Sequence, residues 1–231
     1  LRLFQPTNRA LPRLRVSARS LRTAIFPMLE FFSKLSITAT GFFVFALIVL
    51  GLYYLVPKRA QNWVLLLASY LFCVTWDWSF ALILVAFSVV NYILALRVDS
   101  AEGRTRARWL WLGIALNVSM LLFYKYFDQS QFYFFKVLFR LGVTPTQMEL
   151  NILQPIGISF YVLQAVSYLV DVHRKQIPVN QNFLEVSLYL AYFPKLLAGP
   201  IERAQNFFGQ LRAERVIDNQ VVTESLLRIF V

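Results

Sequence analysis

Pro155-Ile156-Gly157-Ile158-Ser159-Phe160-Tyr161 runs directly into Val162-Leu163-Gln164-Ala165-Val166-Ser167-Tyr168-Leu169-Val170-Asp171. The run has the hydrophobic length of a membrane span. Yet it opens on a proline and a glycine, and it carries two serines, a glutamine, two tyrosines and a terminal aspartate. Polar groups and helix breakers persist at membrane depth only where protein or a water-filled cavity satisfies them. The stretch therefore reads as a core or cavity-lining helix rather than a lipid anchor. Ser159, Gln164 and Ser167 are candidates to line a polar cleft, and Gly157 and Ser159 are small enough for close helix approach. Taken one residue at a time, the plainer reading is a packed helix whose serines bond back to their own carbonyls.

Working outward, the composition agrees with a bilayer environment. The chain is 58% hydrophobic, 16% aromatic and only 15% charged, whereas a soluble domain is about half apolar and a quarter charged. The excess lies in long apolar runs, which predicts an all-α, polytopic integral membrane bundle with re-entrant and interfacial helices. The net charge of +11 does not point to nucleic acid, because the basic residues cluster between apolar runs, where they set orientation. The single cysteine, Cys73, falls inside an apolar run, so no disulfide or zinc framework forms within the chain.

Spans are expected over residues 38–56, 63–76, 79–96, 109–124 and 152–170. Trp76-Asp77-Trp78 reads as a tight interfacial hairpin with two indoles at headgroup level. Arg97–Arg108 reads as a polar loop, and Phe132–Arg140 as an interfacial or short buried helix. Basic loops at Lys58/Arg59, Arg97–Arg108 and His173–Lys175 are assigned to the cytoplasm, with poorer linkers at Asp77 and Asp128 outside. Residues 183–198 are apolar but too short to cross, and Pro194 and Lys195 interrupt them. They read as a re-entrant segment. Six arginines, Arg2, Arg9, Arg13, Arg15, Arg19 and Arg22, crowd residues 1–27 without one acidic residue. A basic arm outside would violate the orientation rule, so residues 1–27 are expected to be non-native upstream sequence or a basic leader, with Met28 as the start and 28–231 as the membrane domain.

The string Pro155, Gly157, Ser159, Phe160, Tyr161, followed by Ser167, Tyr168 and Asp171, resembles the membrane-bound O-acyltransferase family and, within it, the alginate O-acetylation branch of bacteria. A second marker, Phe193-Pro194-Lys195-Leu196-Leu197-Ala198-Gly199-Pro200-Ile201, follows in the family's order and at a similar distance. The resemblance covers Met28 to about Leu211 and corresponds to the N-terminal half of such a protein.

The resemblance implies transfer of an acetyl or other acyl group from a cytoplasmic thioester, acetyl-CoA or another, to an extracytoplasmic polysaccharide hydroxyl. It implies the bacterial inner membrane as the location, and periplasmic acetylation proteins and exopolysaccharide as partners. D-alanyl transfer to teichoic acid is the sister alternative, and a transporter or non-catalytic scaffold is the alternative of another class. No bound cofactor or metal is expected. Acyl transfer to a hydroxyl needs a general base, but His173, the only histidine, sits in a basic loop and is not favoured. The family's essential histidine lies in a later helix, beyond Val231, so no catalytic residue is assigned and the chain is expected to be inactive alone. Arg174, Lys175, Lys195 and Arg203 are candidate contacts for donor phosphates. Snorkelling or a solvated basic loop is the competing explanation for each.

Overall fold

A computed structural model describes residues 39–140, 154–198, 202–213 and 224, of which 39–40, 128–140 and 198 are described by backbone alone. The chain divides into two units, residues 1–46 and 47–231. Helix α1, Ala39–Leu55, runs across that division. The remaining helices all belong to the second unit: α2 Lys58–Val74, α3 Trp78–Ser100, α4 Gly103–Arg140, α5 Ile158–His173, α6 Phe183–Ala191, α7 Phe193–Ala198 and α8 Ala204–Arg212. The described elements are all helices, and the described residues contain no strand, which fits an all-α membrane protein.

Among the described residues, two helices are long and apolar enough to cross a bilayer. They are α3, of 23 residues with hydropathy 2.3, and the Gly103–Phe127 part of α4, with hydropathy 1.4. At about 1.5 Å per residue, α3 reaches roughly 35 Å, past a hydrocarbon core of roughly 30 Å. The two helices are embedded differently. The apolar stretch of α3 is 44% buried within the protein and that of α4 only 17%, so α3 is an inner helix and α4 a peripheral one. Trp111, Leu112, Leu116, Leu122 and Phe123 of α4 face outward. Lipid tails are as apolar as leucine, so close packing and interhelical hydrogen bonds, rather than apolar transfer, hold such helices together.

Several boundaries differ from the sequence expectation. The Arg97–Arg108 loop shrinks to Ala101 and Glu102, because α3 continues to Ser100 and α4 starts at Gly103, where φ is +52°. The linker at Asp128 and the separate helix over Phe132–Arg140 are one continuation of α4. Nothing between Arg108 and Arg140 is a proline, and the sole glycine, Gly113, is tolerated within a helix. The run expected from residue 152 becomes helical only at Ile158. Pro155 has no N–H to give, and Gly157 adopts the left-handed conformation at φ +71°. At the other end the helix extends to His173, a residue that the charge pattern assigns to a loop. At Trp76-Asp77-Trp78 the chain does turn, and Asp77 caps α3 by accepting the Ser79 N–H at 2.7 Å. Bonds from the Ser79 side chain and backbone hold the Asp77 carboxyl below its ordinary pKa.

The core forms around α5, which packs against α3, α4, α6, α7 and α8. Gly113 of α4 lets the Leu169 side chain come close, since a Cβ there would lie 2.7 Å from Leu169 Cδ1. Helix α6 is too short to cross a bilayer, yet Val186 to Ala191 are all buried. A helix apolar on every side belongs in a core. It is surrounded by α2, α3, α5 and α8. The break after it falls at Tyr192, not at Pro194 and Lys195, since Tyr192 leaves helical geometry at ψ 110°. Pro194 instead takes the first turn of α7, where its missing N–H costs nothing.

Candidate functional site

The two sequence markers meet. Gly157, just ahead of α5, lies against the backbone of Leu196 in α7, and a Cβ on Gly157 would stand 2.6 Å from the Leu196 carbonyl oxygen. Only glycine satisfies both this approach and the positive φ. Beside the junction, the Ser69 hydroxyl of α2 donates to the Leu65 carbonyl at 2.7 Å and accepts the Phe193 N–H at 3.1 Å. That bond supplies a partner for one of the N–H groups the helix break exposes. The Phe72 and Phe193 rings pack alongside at 6.0 Å.

Below the junction lies an aromatic nucleus with charge inside it. Tyr168, Tyr189, Tyr192, Phe207 and Phe208 stack in tilted and edge contacts between 5.5 and 6.1 Å. The Tyr168 hydroxyl accepts the Asn180 N–H at 3.0 Å, and the Tyr189 hydroxyl donates to the Glu202 carbonyl at 3.0 Å. Lys195 enters this group. Its Nζ pairs with Glu202 Oε2 at 2.8 Å and sits 3.7 Å from the Phe207 ring centre, with the Tyr189 and Tyr192 rings at 5.4 and 5.9 Å. The side chain is 10% exposed.

A second ionic knot ties the same elements together. Glu185 Oε2 accepts from Asn180 Nδ2 at 2.7 Å and from Arg212 Nη2 and Nε at 2.9 and 3.1 Å, while Oε1 accepts from Asn182 Nδ2 at 3.3 Å. Asn182 also caps α6 by accepting the Leu184 N–H. One carboxylate thus holds the connection before α6, α6 itself and the end of α8.

Most of the residues singled out in the sequence fall among the described ones. Pro155, Tyr161, Tyr168, Asp171 and Phe193 are buried; Ser159, Phe160, Ser167 and Pro194 are half-buried. The Tyr161 ring packs edge-on to Phe87 at 4.7 Å, and its buried hydroxyl has no hydrogen-bond partner among the described residues. Gly199 and Pro200 lie outside the described residues. Arg174, Lys175 and Arg203 are exposed, and Lys175 takes a positive φ of 56° after the end of α5. His173 ends α5, at the opposite end of that helix from Gly157, and is partly exposed. Among the described residues no three His, Cys, Asp or Glu side chains are placed to hold a metal ion.

Some organising residues escape a reading of the sequence. Asn91 of α3 and Asn117 of α4 exchange amide hydrogen bonds at 2.8 and 3.2 Å, and each also donates to its own helix, to Phe87 and Gly113. An asparagine inside an apolar run is the available signal. The buried Arg106 donates Nη2 to the Val172 carbonyl at 2.6 Å, closing the C-terminus of α5. Asn182 followed three positions later by Glu185 has the spacing of a capping box. For Glu202 as partner of Lys195 no local signal exists.

The chain is 38% identical over 170 residues to the probable alginate O-acetylase AlgI of Pseudomonas aeruginosa, covering 73% of this chain and 32% of that protein. It is also 38% identical over 170 residues to the corresponding protein of Azotobacter vinelandii, covering 34% of it. A peptidoglycan O-acetyltransferase of Helicobacter pylori is 30% identical over 206 residues, covering 75% of this chain and 38% of that protein. No family profile matches the chain, and no solved structure does. The chain spans about a third of the length of the curated relatives it matches. The apolar helices and the similarity to these named acetylases are consistent with a protein of the membrane-bound O-acyltransferase type. Over the aligned stretch the chain is similar to alginate O-acetylases and to a peptidoglycan O-acetyltransferase.

Proposed function

We propose that the protein transfers an acetyl group from a thioester donor on the cytoplasmic side to a hydroxyl of an extracytoplasmic polysaccharide. In the step, the acceptor oxygen bonds to the thioester carbonyl carbon and the carbon–sulfur bond breaks. The hydroxyl proton goes to a general base, and the thiolate leaves and takes up a proton. His173 is not the base in this reading. The described helices supply the framework: α5 and α7 meet at Gly157, and the exposed cations Arg174, Lys175 and Arg203 attract the phosphates of a donor such as acetyl-CoA. The protein would sit as a multi-pass protein in the inner membrane, with its basic connections toward the cytoplasm, and would work with periplasmic acetylation proteins on exopolysaccharide.

The observation that carries this reading is the 38% identity to alginate O-acetylases across 170 residues. The similarity to a peptidoglycan O-acetyltransferase supports acetyl as the group moved and gives a second acceptor class to test. In inverted membrane vesicles from cells expressing the gene, acetyl-labelled coenzyme A should yield labelled exopolysaccharide, released as acetate by mild alkali. Label appearing in peptidoglycan alone would reassign the acceptor. Label in neither polymer would contradict the reading.

A further inference from the structure

Lys195 is a candidate ligand for donor phosphate by its sequence, but its surroundings assign it another part. We infer that Lys195 and Glu202 form a charge-neutral clamp, and that Lys195 is a positioning residue for the segment that begins at Glu202 and carries Arg203. The inference rests on the donor reading above only for what Arg203 meets. The clamp itself stands on geometry. The ammonium is paired at 2.8 Å, lies over the Phe207 ring at 3.7 Å and has Tyr189 and Tyr192 around it. Three aromatic faces and one carboxylate surround the cation. A phosphate would have to displace Glu202 and leave its carboxylate unpaired and only 23% exposed.

Glu202 is fixed from three directions. Oε2 meets Lys195, Oε1 accepts from Gln210 Nε2 at 3.1 Å, and its backbone carbonyl accepts the Tyr189 hydroxyl. The following residue, Arg203, is the N-cap of α8 in an extended conformation and stays exposed. The result is a division of labour between two adjacent charges. Glu202 turns inward to neutralise Lys195, and Arg203 is left as the cation an anionic donor can reach. The aromatic surround also makes the clamp directional. A carboxylate at position 195 would face the negative ring faces of Tyr189, Tyr192 and Phe207, so exchanging the two charges does not restore it.

The test uses the whole chain in lipid nanodiscs, with Lys195→Met, Glu202→Gln, the double variant Lys195→Met/Glu202→Gln, and the exchange Lys195→Glu/Glu202→Lys. Hydrogen exchange of the Glu202–Arg212 amides reads the clamp. Each single variant and the exchanged pair should speed exchange by about tenfold or more, and the neutral double variant should return near the wild-type rate. Singles without effect, or a double variant as fast as the two singles combined, would overturn the clamp. Coenzyme A binding to the same samples reads positioning. The neutral double variant should bind within about twofold of wild type, whereas Arg203→Ala should weaken binding about tenfold. A double variant that loses binding while its amides stay protected would make Lys195 a phosphate ligand and overturn the inference. Wild-type protein that does not bind coenzyme A would count against the donor reading alone, and the exchange rates would still decide the clamp.

Discussion

Helices α3 and α4 and the short helices α6, α7 and α8 solve the membrane problem in opposite ways. The first pair is long and apolar, and α4 turns Trp111, Leu112, Leu116, Val118, Leu122 and Phe123 to the outside. Length and hydropathy explain it, and one pair of asparagines sets its register. The short helices cannot cross, yet α6 is buried from Val186 to Ala191. What holds them is polar and specific: a glycine on a carbonyl, a serine on an orphan N–H, and two carboxylates that each meet more than one donor. Apolar length makes a span. Satisfying the backbone where a helix breaks makes the region where the family markers lie.

If this contrast is right, substitutions in the short-helix region cost more than comparable ones between α3 and α4. Gly157→Ala should have the largest effect. It places a side chain in the left-handed region and against a backbone carbonyl that cannot step aside, together about 3 kcal/mol or more. Denaturant titration in mild detergent checks it, and a loss below about 1 kcal/mol would break the claim that α5 and α7 meet there. Ser69→Ala should cost about 1–3 kcal/mol by leaving the Phe193 N–H buried without its acceptor. Ser69→Thr, which keeps the hydroxyl, should recover part of that loss in the same titration.

The α3–α4 pair should be more forgiving. Asn91→Leu or Asn117→Leu alone should cost about 1–2 kcal/mol, since each leaves an amide facing an apolar side chain. The double leucine variant should regain much of this, because no polar group then lacks a partner. Equal losses in the single and double variants would mean that the amides do more than fix register. Asp77→Ala should have the smallest effect, about 1 kcal/mol of helix capping. Its pKa is lowered in the folded state, so the cap contributes fully above the ordinary aspartate value. The contribution is lost as pH falls through the lowered folded value. Thermal melts of wild type and variant should therefore converge in acid.

The same contrast explains what is legible in the sequence. The all-α class and the position of most helices follow from apolar runs, and Pro155 with Gly157 marks the entry to the core helix by residue type alone. Boundaries fail where polar residues stay helical, as over Arg97–Ser100, because an amphipathic or basic helix end looks like a loop to a hydropathy reading. At Tyr192 the break comes ahead of the proline, because proline is comfortable in a first helical turn. The contact between the two markers shows in the sequence only as an unusual string, since nothing local says that Gly157 needs the backbone of Leu196. Lys195 stands out as a charge in an apolar run, but its partner seven residues on, beyond a Gly-Pro pair, is invisible to local pattern.

The most direct measurement is the alkali-labile acetyl content of exopolysaccharide from cells with the gene deleted and then restored as wild type, as Gly157→Ala, or as Asn91→Leu/Asn117→Leu, at matched membrane levels. Deletion should remove the acetyl groups. Wild type and the asparagine double variant should restore them, and Gly157→Ala should not. Acetylation by Gly157→Ala at the wild-type level would contradict the claim that the junction of α5 and α7 organises the site, and acetylation unchanged by deletion would contradict the proposed activity itself.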